Sequence, residues 1–507
     1  MNIKAPGLTD QTQVETLLES LRREAESQME RSRQVYCNRD LNLEKIDCVG
    51  FDMDYTLAPY TQTALDSLSV KVTLERLIRE RGYPAEILEI KPDPDFAIRG
   101  LVVDTWKGNV LKIDAHRHVG TGYHGFTALT EDERKAYREE TIRLNDSSRF
   151  WLIDTLFALP EAFLYAALVD FLHKREPDRE HDFRRLFGDI RYCIDLAHRD
   201  GSIKSAIVAN MEEYIPGKDE ELALTLHKMR SAGKQIFLLT NSFPEFSNKV
   251  MKHLLDGVLP EYPSWKNYFD IVIAGASKPK FFTERAPFLI ADEDGKILGE
   301  EYQSLEKDVI YQGGNLIDFE RMSGVGGERV VYVGDHIYGD IVRSKKSSAW
   351  RTVMIVQEME SELKKSDELR DELARLDAID AEVFRLSERI TFDQTLAYRI
   401  DDMIAVGNGH DIDQLKTARR ELIKNRDQLR RRRKELLAEL DEAEVGHESR
   451  FNPYWGLIFR LANENTLFGE QVEDYACLYT SHVSNFLNYS PLHYFRAPRQ
   501  LMPHERY

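Results

Sequence analysis

The sequence predicts an α/β protein: a doubly wound parallel sheet, an α/β cap domain inserted into it, and a C-terminal helical hairpin. Three observations lead there. Short, nearly continuous apolar runs recur at residues 46–51, 235–240, 270–274, 330–335 and 351–356, as in parallel strands covered on both faces. Helical stretches at 220–232 and 245–255 separate some of these runs, and such alternation marks a doubly wound core. Finally, Leu369, Leu376, Val383 and Ile390 recur every seven residues, as do Leu415, Leu422, Leu429 and Leu436, with Gly407-Asn408-Gly409 between the two series. That is the pattern of an antiparallel hairpin with a coiled-coil seam.

The elements follow in order. Residues 1–45 read as a polar N-terminal helical segment and an approach to the first strand. The catalytic core takes 46–65 and 225–356. The long interval 66–224 is the inserted cap, with a hairpin at 101–103 and 110–113 and helices at 130–144 and 156–173. The coiled-coil hairpin spans 357–445. The aromatic-rich tail, 446–507, is expected to pack on the core. A chain of 507 residues has room for these parts, at ~100–200 residues per domain.

Composition narrows the function. Lys plus Arg total 69 against 87 Asp plus Glu, a net charge of −18. So acidic a chain is poorly suited to sequence-independent nucleic-acid binding, which needs cations against phosphate. An anionic substrate requires a local positive pocket. The cysteines (Cys37, Cys48, Cys193, Cys477) are scattered without a CxxC, so neither a zinc site nor a disulfide framework is indicated. The first residues lack the apolar run of a signal peptide, and no uninterrupted apolar stretch is long enough to span a bilayer. The expectation is a cytoplasmic protein without a membrane partner.

The chemistry sits at strand ends. Val49-Gly50-Phe51-Asp52-Met53-Asp54-Tyr55-Thr56-Leu57 carries two carboxylates one residue apart where the first strand finishes. Alternate residues of an extended chain point the same way, and open α/β sheets bind ligands at that edge. One carboxylate can attack while its neighbour handles protons. The second strand ends in Thr240-Asn241-Ser242, a hydroxyl- and amide-bearing turn suited to phosphate oxygens. The third leads to Ser277-Lys278-Pro279-Lys280, which offers an ammonium. The fourth ends in Gly334-Asp335-His336-Ile337-Tyr338-Gly339-Asp340, adding two carboxylates. Clustered carboxylates beside a phosphate suit Mg²⁺, a hard ion that prefers oxygen.

This ordered set resembles the haloacid dehalogenase superfamily of phosphatases. Several longer stretches are similar to the cytosolic purine 5′-nucleotidase family, the IMP/GMP-preferring branch. They are 51–57, 334–340, Thr155-Leu156-Phe157-Ala158-Leu159-Pro160, Thr466-Leu467-Phe468 and Leu501-Met502-Pro503-His504-Glu505. The resemblance implies a haloacid-dehalogenase-like fold and Mg²⁺-dependent hydrolysis of 6-oxopurine nucleoside monophosphates through an aspartyl-phosphate. Phosphotransfer to a nucleoside in place of water is also implied. Asp52 would be the nucleophile and Asp54 the acid and base. Thr240, Asn241 and Lys204 would bind phosphate, and Lys278 would neutralise it. Asp52, Asp335 and the backbone carbonyl of Asp54 would hold Mg²⁺, supported by Asp340. Phe157 and His198 would stack on the purine. The family forms homotetramers, so a homo-oligomer (dimer or tetramer) is expected, with the hairpin as the self-association element. A nucleotide effector site is implied at Tyr338, Lys346 and Gln471, although Asp154 stands where the animal enzymes carry Asn. Ala158 likewise replaces an Asn.

Arg191, Asp195 and His198 stand at i, i+4 and i+7 and share one face if helical. An Arg donor suits O6 and N7 of a 6-oxopurine, and an Asp acceptor suits its N1–H. The same spacing also fits an ordinary solvated Arg–Asp pair. Some signals are set aside. Gly120-Thr121-Gly122-Tyr123-His124-Gly125 matches GxGxxG but lacks the helix that a dinucleotide turn opens; the next helix is expected at Thr130, with Glu133 as its capping box. His116 and His118 read as surface residues, and Arg430–Lys434 as a solvated helix face. Two other readings fit less of the sequence: a phosphatase for a different phosphomonoester, and a catalytically silent oligomeric scaffold.

Overall fold

The computed structural model describes residues 29–140, 142–144, 148–342, 348–407, 411–499 and 505. Two compact units result, Met1–Ser361 with Ile458–Tyr507, and Glu362–Leu457.

The first unit is built on a ten-stranded sheet. In chain order its strands are β1 (Tyr36–Cys37), β2 (Cys48–Phe51), β3 (Gln235–Leu239), β4 (Ile271–Ala274), β5 (Phe288–Ala291), β6 (Ile297–Glu301), β7 (Ile310–Gly313), β8 (Val330–Gly334), β9 (Arg351–Ile355) and β10 (Leu478–Thr480). Their spatial order is β1-β10-β9-β8-β2-β3-β4-β7-β5-β6. The run from β10 to β7 is parallel throughout, and β1, β5 and β6 are antiparallel additions at the edges. The central strands β2, β4 and β8 are buried at every residue, which explains their continuous apolar runs. Gly50 is required by the packing: a Cβ there would lie 2.0 Å from the Phe237 ring. Phe237 joins Phe319, Tyr332 and Trp350 in the core beside the sheet.

Between β2 and β3 the chain makes a second, five-stranded antiparallel sheet, not merely one hairpin. Its strands are Val102–Asp104, Asn109–Ile113, Val119–His124, Thr127–Ala128 and Phe150–Leu152. The GxGxxG match lies on one of these strands. Thr130 caps a short helix, Glu131–Ala136, through the expected capping box with Glu133. The same segment carries α1 (Gln62–Arg81), α2 (Leu159–Arg175), α3 (Phe183–Arg199) and α4 (Ser202–Ala209), with α2 packed on this sheet. The segment Leu156–Arg175 is long and apolar enough to cross a membrane by length and composition. Residues Leu159 through Val169 are nevertheless all buried in the protein, as in a core helix. The chain then enters α5 (Glu220–Ser231), and α6 (Pro244–Leu255) follows β3.

The expected N-terminal helix falls largely on residues 1–28, outside the described residues. Residues 29–45 hold single 3-10 turns and short strands instead of a helix. The tail does more than pack on the core, since β10 is a sheet strand. Residues 501–504 of the terminal motif lie outside the described residues.

The second unit contains two long helices, α7 (Arg370–Val406) and α8 (Ile412–Phe451). Arg450 pairs with Glu372, Arg375 with Glu439, and Arg419 with Asp401. Late residues of α8 therefore meet early residues of α7, and the helices run antiparallel. Gly407 ends α7 at φ 68°, a conformation glycine adopts freely. Ile390 and Leu436 of the heptads are buried. A helix over Glu358–Glu368 precedes α7, and polar residues carry α8 beyond residue 445 to Phe451.

Candidate active site

Neighbouring parallel strands bring distant carboxylates to one edge. β2 finishes at Phe51, and the Asp52 N–H donates to the Val333 carbonyl of β8 at 2.9 Å. Asp335 follows the end of β8. Between them lies Lys278, 8% exposed. Its Nζ is 3.0 Å from Asp52 Oδ1, 2.7 Å from Asp340 Oδ1 and 2.8 Å from the Tyr332 hydroxyl. Asp52, Asp335 and Asp340 are buried and place oxygens within 4.8 Å of one another. Asp340 thus stands among the carboxylates instead of behind them. The Asp54 side chain points elsewhere: its two oxygens accept from the Tyr60 and Ser242 hydroxyls, each at 2.7 Å.

Glycines make the loop after β8 possible. A Cβ at Gly334 would lie 2.5 Å from Asp340 Oδ2, and one at Gly339 would lie 2.5 Å from His336 Nδ1. The turn after Asp54 is equally tight, with the Met53 carbonyl accepting from the N–H groups of Leu57 and Ala58. Tyr55 there holds φ at 55°, unusual for a residue with a side chain.

The electrostatics are one-sided. Burial pushes the Asp52 carboxyl well above its usual range, against the pull of Lys278 and with the push of Asp340 and Asp335. Burial, aided by Asp340 and opposed by Arg99, pushes Asp335 up to about 7. For Lys278, burial disfavours the ammonium, but Asp340 and Asp52 outweigh it and hold its pKa above the ordinary value. Lys278 bridges Asp52 and Asp340, while Asp335 faces the charges of Arg99 and His336. An all-oxygen donor set with surplus negative charge fits a hard divalent cation such as Mg²⁺.

The turn after β3 divides its work. The Thr240 hydroxyl accepts from the Ser242 N–H at 3.1 Å. The Asn241 amide clamps the Lys278 backbone, donating to its carbonyl at 3.0 Å and accepting from its N–H at 2.5 Å. Ser242 bridges Asp54 to Lys204, whose Nζ lies 3.3 Å from its hydroxyl. Lys204 projects from α4 over the Phe246 ring.

These groups open into a cavity of about 390 Å³. Asp52, Asp54, Asp335, Asn241, Ser242 and Lys204 form its polar end, and Tyr60, Phe157, His198, Ile203, Ile207 and Phe246 are among its apolar and aromatic walls. Phe157 and His198 stand edge to face, 6.1 Å between centroids. Burial, then the Lys204 charge, hold His198 below its ordinary pKa, so its ring is neutral at pH 7. Thr240, Arg191 and Asp195 are not among the lining residues. Arg191 donates to buried Glu161 at 2.5 Å and to Asp195 at 3.4 Å, with its guanidinium over the Trp151 ring.

Of the residues expected at an effector site, Tyr338 is exposed in the π-helical turn Ile337–Val342, and Gln471 lies on the helix Leu467–Tyr475. Lys346 lies outside the described residues. Asp154 sits 3.3 Å from His336 Nε2.

Sequence reasoning missed Tyr60, Glu161 and Arg99. Arg99 is buried, donates to the Asp335 carbonyl at 2.7 Å, and holds Glu358 through two bonds of 2.7 and 2.6 Å. No spacing rule links these residues to their partners. Ser242 was visible only as part of a phosphate-holding turn, not as the partner of Asp54.

The comparisons with known proteins agree with this geometry. Residues 35–507 match the model of the 5′ nucleotidase family. The chain is 33% identical over 486 residues to 5′-nucleotidase domain-containing protein 2 of Rattus norvegicus, covering 93% of this chain and 80% of the relative. It is 32% identical over 486 residues to the Homo sapiens protein of the same name, covering 93% and 85%. A 5′-nucleotidase domain-containing protein of Dictyostelium discoideum is 31% identical over 481 residues, covering 93% and 75%. By class, the chain is a phosphoric monoester hydrolase. It belongs to the 5′ nucleotidase family.

Proposed function

We propose that the protein is a Mg²⁺-dependent 5′-nucleotidase that hydrolyses 6-oxopurine nucleoside monophosphates, IMP and GMP, through an aspartyl-phosphate on Asp52. The observation that carries this reading is the convergence of Asp52 and Asp335, which line a cavity with aromatic walls, with buried Lys278 and Asp340 beside them. Asp52 Oδ1 is held by the Met53 N–H at 2.7 Å and by Lys278, which fixes the carboxylate for attack on phosphorus. As the bond from phosphorus to the ribose oxygen breaks, Asp54 supplies the proton. Tyr60 and Ser242 orient its carboxyl for that step and for the return step, when it takes a proton from the water that clears the acyl-phosphate. Lys204 and Asn241 receive the phosphate oxygens at the cavity mouth, while Thr240 shapes their turn. Asp52, Asp335 and Asp340, with the Asp54 carbonyl, would hold Mg²⁺, which supplies charge neutralisation between an anionic nucleophile and an anionic phosphate.

The inserted segment acts as the cap that reads the base. Phe157 and His198 flank the purine. Arg191 and Asp195 precede His198 on the same face of α3, and their mutual pair exchanges for the complementary edge of a 6-oxopurine. Adenine presents the reverse pattern at positions 1 and 6 and offers neither group a complementary partner, a source of discrimination. Phosphotransfer to a nucleoside follows if a sugar hydroxyl replaces water at the second step. The exposed apolar residues Phe384, Phe392 and Tyr398 of α7 support self-association through the hairpin. Replacing Phe384 and Phe392 by Glu should lower the mass measured by sedimentation.

A panel of nucleoside monophosphates with phosphate detection tests the reading. IMP and GMP should be hydrolysed with Mg²⁺, and Asp52→Asn should abolish it. Arg191→Ala with Asp195→Ala should cripple IMP turnover and spare p-nitrophenyl phosphate. Equal losses on both would mean another phosphomonoester, and no release from any nucleotide would mean a silent scaffold.

A further inference from the structure

A histidine cluster sits in the inserted segment, apart from the residues lining the cavity. His124 closes the strand Val119–His124, His173 stands near the end of α2, and His181 lies in the link to α3. The Nε2 atoms of His124 and His173 face each other at 2.8 Å. The His181 ring is 5.1 Å from that of His173. Phe183 packs beside all three rings. The three imidazoles are half-buried, shielded yet within reach of solvent.

Their tautomers follow from their partners. The Asn109 amide nitrogen donates to the Tyr137 hydroxyl at 2.9 Å, and that hydroxyl donates to buried Asp104 at 2.9 Å. The Asn109 oxygen therefore faces His124 Nδ1, at 2.8 Å. An acceptor there requires the proton on Nδ1 and leaves the lone pair on Nε2, which accepts from His173 Nε2–H at 2.8 Å; a metal would replace that hydrogen as His173 moves its proton to Nδ1. His181 Nε2 lies 3.1 Å from the Glu176 carbonyl, so it carries the proton and Nδ1 keeps the lone pair.

We propose that the facing Nε2 atoms of His124 and His173, with the His181 ring beside them, form a binding site for a divalent transition-metal ion of the zinc class. Two imidazole nitrogens on one tetrahedral ion stand ~3.4 Å apart, given metal–nitrogen distances near 2.0–2.1 Å. The pair needs to open by only about half an ångström. A metal-bound histidine characteristically donates its other N–H to a fixed acceptor, and the Asn109–Tyr137–Asp104 chain already provides one. Nitrogen donors also separate this site from the all-oxygen carboxylate centre, since imidazole suits zinc-class ions and carboxylates suit magnesium. The ion would fasten a strand of the inserted sheet to the end of α2, beside the link that leads into α3, the helix bearing Arg191, Asp195 and His198.

The test uses the full chain with Co²⁺ and Zn²⁺ as probes. Co²⁺ should give the visible absorption of a nitrogen-ligated low-coordinate ion, displaced by one equivalent of Zn²⁺. That signal should persist in Asp52→Asn with Asp335→Asn and vanish in His124→Gln or His173→Gln. Asn109→Ala should weaken binding by about 10–100-fold, as loss of a supporting acceptor does. Should the histidine variants fail to fold, amide exchange of the wild type with Zn²⁺ decides: protection at 119–124 and 173–183 upholds the site. A signal that survives both histidine replacements, or zinc protection confined to 52–54 and 335–340, overturns it.

Discussion

A methyl group at position 334 would stand 2.5 Å from an Asp340 oxygen, so Gly334→Ala must move the carboxylate or the strand end. Phosphate release should fall by about 10²-fold, the scale of a 1 Å misplacement, with helix and sheet content unchanged by circular dichroism. Lys278 is the complementary case. Lys278→Met leaves Asp52 and Asp340 without their shared ammonium, and breaking a buried ion pair costs about 3–5 kcal/mol. Without metal, however, protonation of Asp52 offsets part of this, because burial already favours its neutral form. The loss in denaturation midpoint should therefore be larger at pH 8 than at pH 5. Glu161 makes a third test. Burial, opposed by Arg191, raises its carboxyl from 4.5 to about 7 in the folded protein. Between those values the native state keeps a proton that the unfolded chain releases, so stability falls as pH rises through that window. Glu161→Gln removes this contribution. The wild type should lose ground against the variant from pH 4.5 to 7 and hold a constant difference above it, as read by urea denaturation.

Among elements, legibility followed burial symmetry. The strands β2, β3, β4, β8 and β9 were readable because both faces are covered and their apolar runs are unbroken. β6 was not, since Ile297–Glu301 is an edge strand with exposed and half-exposed residues. β1 and β10 were missed because two or three residues carry no period. Likewise Val119–His124, half-buried and containing two glycines, reads as a loop. The same logic holds in the site. Strand-end carboxylates and Lys278 could be found from motif order, whereas Tyr60 and Arg99 meet their partners only through tertiary packing. Within the hairpin, the seven-residue period was visible, but its polar member was not. Asp393 is buried and accepts from the Asn425 amide at 2.7 Å across the two helices, with Arg389 at 3.2 Å. Asn425→Ala should cost about 1–3 kcal/mol, the penalty for a buried group that loses its partner, measured as a lower midpoint for loss of helical signal.

At the scale of the whole first unit, Arg99 ties distant parts together. It comes from the inserted segment, grips the carbonyl of Asp335, and pairs with Glu358 beyond β9. Arg99→Met should lower activity and destabilise this unit together, by about 3–5 kcal/mol for the stranded carboxylate and carbonyl. Arg99→Lys should recover little, because a lysine cannot make the two-pronged bond to Glu358. Calorimetry alongside phosphate release would read both effects.

The place of β10 has a consequence for biosynthesis. Leu478–Thr480 covers one side of β9 and in turn receives β1 from the opposite end of the chain. While the ribosome is still making the intervening residues, β9 presents a bare hydrogen-bonding rim, the kind of template that recruits stray strands. A nascent chain halted before Leu478 should accordingly depend on chaperones and precipitate when released without them.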